Sequence, residues 1–193
     1  EPLRYRTAII GFIIGMIALI IFCRELGMSL WLIPIFFCLY FAISVSITRM
    51  RAEMGPPLHA IISANPQTII LASFGTRKLG PTNLTLLSLF YWFNRFNRSH
   101  PMPHQLEAFK IAERTGASPK KMVKAMLMAI VLGVWATFWI YPYTLYKYGA
   151  TTAGELLGAG WQAYGNLSGW LQHPSPVDIS GLSVTGGSFI FAI

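Results

Sequence analysis

Charged side chains are scarce in this sequence. Of its 193 residues, only 11% are Asp, Glu, Lys or Arg, whereas 54% are hydrophobic. Soluble domains carry about 25% charged residues, so the composition argues against an ordinary soluble domain. A net charge of +8 would suggest a nucleic-acid partner in a soluble protein. Because the basic residues stand between long apolar runs, we expect an integral membrane protein and no nucleic-acid binding.

Cysteine is also nearly absent, and common catalytic motifs are missing. Cys23 and Cys38 are the only cysteines, and both stand inside apolar stretches. They support neither a disulfide framework nor a zinc site, so we interpret each as a small buried hydrophobic residue. The sequence has no P-loop, hydrolase elbow or dinucleotide fingerprint. We therefore expect no enzymatic activity, and the sequence identifies no cofactor.

The most informative stretch is a long apolar run that follows three lysines. Ser118 and Pro119 are typical of a helix start, and after the lysines no charge appears until Lys147. A bilayer core is crossed by about 20 apolar residues. Tyrosines cluster at the far end, as aromatic residues do at a membrane surface. We predict a spanning helix over residues 122–146 that runs outward from the cytoplasm.

Other apolar segments predict further spans. Residues 7–23 and 29–48 are joined by a short link and predict a hairpin of two spanning helices. Residues 182–193 begin another span, but these 12 residues are too few to cross a bilayer. We therefore expect this chain to be part of a longer polytopic protein.

Two shorter segments, residues 58–74 and 84–93, are predicted to be re-entrant or interfacial. Basic residues flank the first segment at both ends, so a single crossing would place one basic cluster outside. The second segment is too short to cross, and its aromatic residues suit the headgroup region. The predicted fold class is an all-α integral membrane protein, a polytopic helical bundle fragment with re-entrant or interfacial helices.

The distribution of basic residues predicts which side of the membrane each segment faces. Eleven of the fifteen Lys and Arg residues lie within residues 49–124, and two more precede the first span. The positive-inside rule places all thirteen in the cytoplasm and leaves only Arg24 and Lys147 outside. Residues 95–118 are then cytoplasmic. Residues 149–180 are extracytoplasmic, with an amphipathic helix that lies on the outer face or packs as a cap.

Polar residues beside a proline form the candidate site. Asn65 and Gln67 flank Pro66, with Ser63 and Thr68 nearby. A proline break frees backbone carbonyls, and amide or hydroxyl groups beside the break can bind an ion or a polar solute, as in the broken helices of transporters. We predict a substrate-binding site at the four polar residues. The alternative is an interfacial turn whose amides face water or phosphates.

The histidines suggest further sites. His59 precedes the candidate site and is interpreted as a cofactor ligand for a haem or chlorophyll-type pigment, as a proton relay, or as a hydrogen-bonded interfacial residue. His100 and His104, with Met102 between them, resemble a soft metal site, but a site needs three or four ligands. We interpret them as capping groups of a proline-rich turn and predict no metal.

Three motifs resemble a known family. They are residues 49–57 (RMRAEMGPP), residues 92–95 (WFNR) and residues 100–110 (HPMPHQLEAFK). They are similar to a group of large bacterial multipass proteins, known mainly as domains of unknown function and sometimes described as similar to oligopeptide transporters. The resemblance covers the chain from about Tyr5 onward. It implies the bacterial cytoplasmic (inner) membrane and many more spans in the parent protein. The distribution of basic residues places the N-terminal end of this chain in the cytoplasm.

Two functions are compatible with these observations. The first is that of a secondary transporter-like protein, of which this chain is a fragment, moving a small polar solute or a peptide past Asn65 and Thr68. The second is that of a structural or accessory subunit in a larger respiratory or photosynthetic membrane complex. In both cases the expected partners are the lipid bilayer and either other membrane subunits or the remaining spans of the same protein.

Overall fold

A computed structural model describes residues 4–55, 65–94, 100–149 and 154–178, together with residues 180, 181, 183 and 187. In these residues all regular secondary structure is helical, which confirms the all-α prediction for this part of the chain. The helices are α1 (Tyr5–Glu25), α2 (Leu32–Met54), α3 (Pro66–Leu89), α4 (Tyr91–Asn94), α5 (Pro101–Thr115), α6 (Pro119–Tyr148) and α7 (Gly154–Gln172).

Three of the described helices, α1, α2 and α6, are long and apolar enough to cross a membrane. They coincide with the spans predicted at residues 7–23, 29–48 and 122–146. Helix α2 has 23 residues and a length of about 35 Å, which exceeds the thickness of a bilayer core. The fourth predicted span, at residues 182–193, lies outside the described residues except for positions 183 and 187.

The hydrophobic core lies where the end of α1 meets α2 and α3. Between α1 and α2, the backbone N–H of Met28 donates to the carbonyl of Cys23 at 3.0 Å, and both residues are fully buried. Cys38 on α2 is exposed, so the interpretation of both cysteines as buried is right for Cys23 and wrong for Cys38. The remaining buried hydrophobic residues of this core are Leu32, Ile33, Phe36, Phe37, Ile70, Leu79, Leu84, Leu86 and Leu87.

Helix α3 is interrupted in its middle. Gly75 has φ 70° and ψ 156°, and Gly80 has φ 77° and ψ 162°, so residues 66–74 and 81–89 form two helical segments. This backbone region is open almost only to glycine. Pro81 opens the second segment, a position that proline favours. The two glycines therefore interrupt the helix between the predicted segments 58–74 and 84–93.

The second segment of α3, α4 and α5 together follow α2 along its whole length. Contacting partners differ in residue number by 54 at the start of α2 and by 56 near its end. Because this difference is nearly constant, the three short helices run parallel to α2. The paired residues are Ser29 with Asn83, Phe36 with Phe90, Tyr40 with Phe93, Ser44 with His100 and Arg51 with Glu107.

Two basic residues lie at the N-terminal end of α2. The ammonium nitrogen of Lys78 is 5.7 Å from the centre of the Phe74 ring, and this ring lies 5.1 Å from the Trp31 ring. Arg51 is near the opposite end of α2. With α2 as a membrane span, Arg77 and Lys78 therefore face the side opposite to Arg51. All basic residues of this region were predicted to lie on one side of the membrane. That prediction did not include the packing of residues 81–89 alongside α2, which separates Lys78 from Arg51.

Helix α7 packs lengthwise against α3. The Tyr91 hydroxyl donates to Gln162 Oε1 at 3.3 Å, while Thr76 contacts Ser175 beyond the end of α7. The two helices are therefore antiparallel. Trp170 packs against the hydrophobic core. Helix α7 therefore packs against the other helices, while its position at the outer membrane face stays a prediction.

Candidate functional site

Asn65 caps α3, and Pro66 is the first residue of that helix. The Asn65 Oδ1 atom accepts hydrogen bonds from the Thr68 backbone N–H at 2.8 Å and from the Thr68 hydroxyl at 2.9 Å. Asparagine before proline is a favoured start of a helix. Pro66 therefore begins α3. The interruption of α3 lies further along, at Gly75.

The structure brings two of the predicted site residues into direct contact, Asn65 and Thr68. Gln67 is 3% exposed, and its Oε1 atom has no hydrogen-bond partner in the described part of the chain. A buried polar atom without a partner costs about 1–3 kcal/mol, so this oxygen is available for a donor. Ser63 and His59 lie outside the described residues.

A cleft with a volume of about 300 Å³ opens between the break in α3 and the segment that follows α7; we call it the α3–α7 cleft. Leu71, Trp170 and Pro176 are apolar parts of its wall. Four residues with polar side chains also line it: Thr68, Thr76, Ser175 and Asp178. Of these, only Thr68 was singled out from the sequence.

Hydrogen bonds hold the segment after α7 against the break. The Thr76 hydroxyl oxygen accepts from the Ser175 backbone N–H at 2.8 Å. The backbone N–H of Asp178 donates to the carbonyl of Ala72 at 3.2 Å, and that of Arg77 donates to the carbonyl of Ser175 at 3.4 Å. These bonds connect residues about 100 positions apart in the sequence. The cleft is therefore built by tertiary contacts and not by a local motif.

Gly75 lets the two parts of the cleft approach closely. A Cβ atom at this position would lie 2.8 Å from the carbonyl carbon of Pro176 and 2.9 Å from the backbone nitrogen of Val177. Real Cβ atoms essentially never come so close to backbone atoms. Gly75 thus serves two needs, a positive φ and the absence of a side chain. Gly80 has the same type of backbone conformation but open space around it.

A second polar cluster links α2 and α5. The backbone N–H of Met102 donates to Nδ1 of His100 at 3.2 Å, which makes His100 the N-cap of α5. Because Nδ1 accepts, the hydrogen of the neutral ring is on Nε2, which donates to the Ser44 hydroxyl at 2.8 Å. The Ser44 hydroxyl in turn donates to the carbonyl of Tyr40 at 2.7 Å. His100 therefore has a structural role in capping and in joining two helices.

His104 has a different environment from His100. Its Nδ1 atom is 3.6 Å from a carboxylate oxygen of Glu107, and its side chain is about half exposed. The histidines therefore do not share one ligand set. In the described residues, no group of three or more His, Cys, Asp or Glu side chains is arranged to hold a metal ion.

Ion pairs surround the C-terminal end of α2. The Arg51 guanidinium donates to Glu107 at 2.5 Å, and this hydrogen bond lowers the pKa of the Glu107 carboxyl below its ordinary value. Lys110 donates to Glu113 at 2.7 Å and lowers the pKa of that carboxyl in the same way. These pairs join α5 to α2 and stabilise α5 itself.

Comparison with known proteins identifies a family for this chain. The family model of DUF6785, a family of unknown function, covers residues 1–193, which is the whole chain. No curated protein and no solved structure matches significantly. The chain therefore belongs to the family of unknown function DUF6785, which confirms its resemblance to an uncharacterised family.

Proposed function

We propose that this chain is part of a secondary transporter-like membrane protein that moves a small polar solute, with the α3–α7 cleft as the solute site. The observation that carries the proposal is the interruption of α3 at Gly75 beside a cleft with polar walls. Broken helices build the substrate sites of many transporters, where irregular backbone lines a cavity. The proposed role involves no chemical conversion of the solute.

The proposed location is the bacterial inner membrane, with the N-terminal end of this chain in the cytoplasm. With Arg77 and Lys78 counted outside, together with Arg24 and Lys147, eleven of the fifteen basic residues remain inside. An eleven-to-four distribution still favours this orientation under the positive-inside rule. The three apolar helices α1, α2 and α6 support a membrane location.

The test is solute uptake by the full-length parent protein in sealed liposomes. Radiolabelled alanine, a dialanine peptide, putrescine and glucose form the panel, with and without an imposed proton or sodium gradient. We expect accumulation of at least one solute, and a large loss of it with Thr68→Val, which removes a hydroxyl from the cleft wall. The matched control is Thr85→Val, because Thr85 is exposed on the same helix and is not among the lining residues of the cleft.

Two results would contradict the transport proposal. One is that folded, correctly inserted wild-type protein accumulates none of these solutes. The other is that Thr68→Val and Thr85→Val reduce uptake equally, because the cleft would then have no special role. Thermal unfolding of both variants in detergent shows whether a loss of uptake reflects a loss of folded protein.

A second function, that of a structural or accessory subunit, is supported by the exposed helices. None of the residues of α6 is buried, and only 6% of the apolar window of α1 is buried. Trp135, Phe138 and Trp139 each expose more than two thirds of their surface. Apolar surfaces of this size require lipid or protein around them.

Extraction from the native membrane in mild detergent tests this second function. Particle mass, subunit composition and an absorption spectrum are recorded from one sample. A multi-subunit or coloured particle supports the accessory role and makes His59 the first ligand to substitute. A colourless particle with one type of chain contradicts it.

A further inference from the structure

We propose that the α3–α7 cleft binds the ammonium group of a small organic amine, with Asp178 as the partner of the positive charge. This inference rests on the proposed function, because it names the class of solute for the same cleft. Three features of the cleft wall support it: the hydrogen-bond acceptors in the wall, the position of its negative charge, and the apolar groups that cover the carbon atoms of the ligand.

The hydroxyl of Thr68 offers an acceptor to the cleft. Its hydrogen is donated to Asn65 Oδ1 at 2.9 Å, and the same Asn65 atom accepts from the Thr68 backbone. A hydroxyl has one hydrogen and two lone pairs. Because the hydrogen of Thr68 is used in the bond to Asn65, the Thr68 oxygen can only accept hydrogen bonds from a ligand. Asn65 thus fixes the hydrogen-bonding polarity of Thr68, which makes it a positioning residue.

Thr76 and Ser175 are already engaged with each other. The Thr76 oxygen accepts from the Ser175 backbone at 2.8 Å, and its hydroxyl is 3.4 Å from both the carbonyl and the hydroxyl oxygen of Ser175. Both hydroxyl hydrogens have acceptors within this pair, because Thr76 can donate to the Ser175 carbonyl and the Ser175 hydroxyl can donate to Thr76. These two residues shape the cleft and offer no strong donor to a ligand.

Asp178 supplies the negative charge. It is the only aspartate in the sequence, and its Oδ1 atom accepts from the backbone N–H of Gly181 at 2.9 Å. A carboxylate has two oxygens and about four lone-pair directions, so Oδ2 is available to a ligand. Among the described residues, no salt bridge involves Asp178. Two acceptor groups, one of them anionic, suit a ligand that carries several N–H donors.

The apolar wall indicates an organic ammonium and not a bare metal ion. Trp170 presents an aromatic ring, which attracts cations through its π face, and Leu71 and Pro176 can cover carbon atoms. The volume of about 300 Å³ is at the lower end of the range of small-molecule sites. A metal ion would leave most of this space unfilled. The cleft thus fits an ammonium group with a short hydrocarbon body.

Direct binding of a matched ligand pair tests this assignment. The full-length protein in nanodiscs is titrated by calorimetry with n-butylamine and, separately, with n-butanol, which has a similar shape and no charge. We expect saturable binding of n-butylamine and none of n-butanol. In Asp178→Asn we expect the affinity for n-butylamine to fall by about tenfold or more, as for the loss of one charged hydrogen bond.

Two further variants complete the design. Trp170→Leu keeps the apolar wall but removes the aromatic ring, so we expect weaker n-butylamine binding with the charge partner intact. The matched control is Glu53→Gln, which removes an exposed carboxylate at the other end of α2 and should leave the affinity unchanged. The comparison of the two ligands on the wild-type protein needs no variant and holds even where a variant does not fold.

The outcomes separate this inference from the transport proposal. Equal binding of n-butanol, unchanged affinity in Asp178→Asn, or binding of radioactive Na⁺ in place of the amine would overturn the ammonium assignment. Uptake of glucose or another neutral solute, sensitive to Thr68→Val, would overturn it and leave the transport proposal standing. Amine binding at Asp178 without uptake of any solute would support the site and contradict transport.

Discussion

Thr76 accepts a hydrogen bond from the backbone N–H of Ser175 at 2.8 Å, and this contact fastens the segment after α7 to the break in α3. Thr76 is 4% exposed, so its hydroxyl belongs to the interior and not to the solvent-exposed rim. A single threonine gives little signal in an apolar sequence. Its importance here comes from its place between two glycines, Gly75 and Gly80, that depart from helical geometry.

Replacing Thr76 by valine should therefore loosen the cleft. Valine keeps the shape of threonine but removes the acceptor for Ser175, and we expect a loss of about 1 kcal/mol in the free energy of unfolding. Thermal unfolding in detergent measures this loss. Thr85→Val is the control, because the Thr85 hydroxyl is exposed and, among the described residues, donates to the Pro81 carbonyl of its own helix. Equal destabilisation by both changes would show that the contact to Ser175 contributes nothing.

The two glycines of α3 provide a matched pair of substitutions. Both have the conformation that disfavours a side chain, so Gly80→Ala should cost about 1–3 kcal/mol through backbone strain alone. Gly75→Ala should cost more, because its new methyl group would also meet the backbone of Pro176 and Val177. Unfolding temperatures of the two variants in the same detergent test this order. The reverse order would mean that the segment after α7 moves away at little cost.

Asn65 can be tested as a cap and as a site residue in one series. Asn65→Ala removes the acceptor for the Thr68 backbone and should destabilise α3 by about 1 kcal/mol. Asn65→Asp restores the cap. If Asn65 only caps the helix, uptake by Asn65→Asp should equal that of the wild type. If the amide itself contacts the solute, uptake should remain impaired although the melting temperature recovers.

The pair of Arg51 and Glu107 predicts a pH dependence of stability. The hydrogen bond from Arg51 lowers the pKa of Glu107 below its ordinary value of 4.5. A carboxyl with a lowered pKa stabilises the folded state above its unfolded pKa, and this contribution disappears as the pH falls through the folded pKa. The partners are partly exposed, so the effect is small, at most about 1 kcal/mol.

Thermal unfolding from neutral pH down to about pH 3 checks this expectation. The wild type should lose more stability than Glu107→Gln as the pH falls below 4.5, since the variant has no carboxyl to protonate at this position. The difference between the two curves isolates Glu107 from the other carboxyl groups, including Glu113. Parallel curves would show that the pair with Arg51 does not contribute to stability.

The three long apolar helices could be predicted from the sequence because their signal is local. In α1, α2 and α6, apolar composition and length are properties of one continuous stretch, and they suffice without knowledge of the neighbours. Cap signals are equally local. Ser118 with Pro119 begins α6, and Gly116 ends α5 in a left-handed conformation.

The cleft could not be predicted in the same way. Its charged residue, Asp178, and its aromatic residue, Trp170, come from a region about 100 residues beyond Thr68, and no sequence period connects them. Thr68 was found because it stands beside a proline, although Pro66 turned out to begin a helix. The interruption of α3 does have a local signal, and the predicted segments 58–74 and 84–93 lie on either side of it. Glycines at positions 75 and 80, with a proline directly after the second, are typical of an interrupted helix.

The placement of Lys78 gives a direct test of the membrane topology. Lys78 lies with Phe74 and Trp31 at the N-terminal end of α2, whereas Arg49 lies near the other end. If α2 crosses the membrane, Lys78→Cys should react with a membrane-impermeant maleimide added to the same side as a cysteine introduced by Leu30→Cys. Arg49→Cys should react only from the opposite side. The measurement uses the full-length protein with all native cysteines, Cys23 and Cys38 among them, replaced by alanine.

Orientation of the whole chain follows from the same labelling. We expect Lys78→Cys to react from outside intact cells and Arg49→Cys only after the cells are opened, because the larger number of basic residues then remains inside. The opposite labelling pattern would mean that the chain has the reverse orientation in the membrane, with the same structure. Labelling of Lys78→Cys and Arg49→Cys from the same side would show that α2 does not span. In that case α2 and the break in α3 beside its N-terminal end would not belong to a membrane-crossing unit, and the transport proposal would be contradicted.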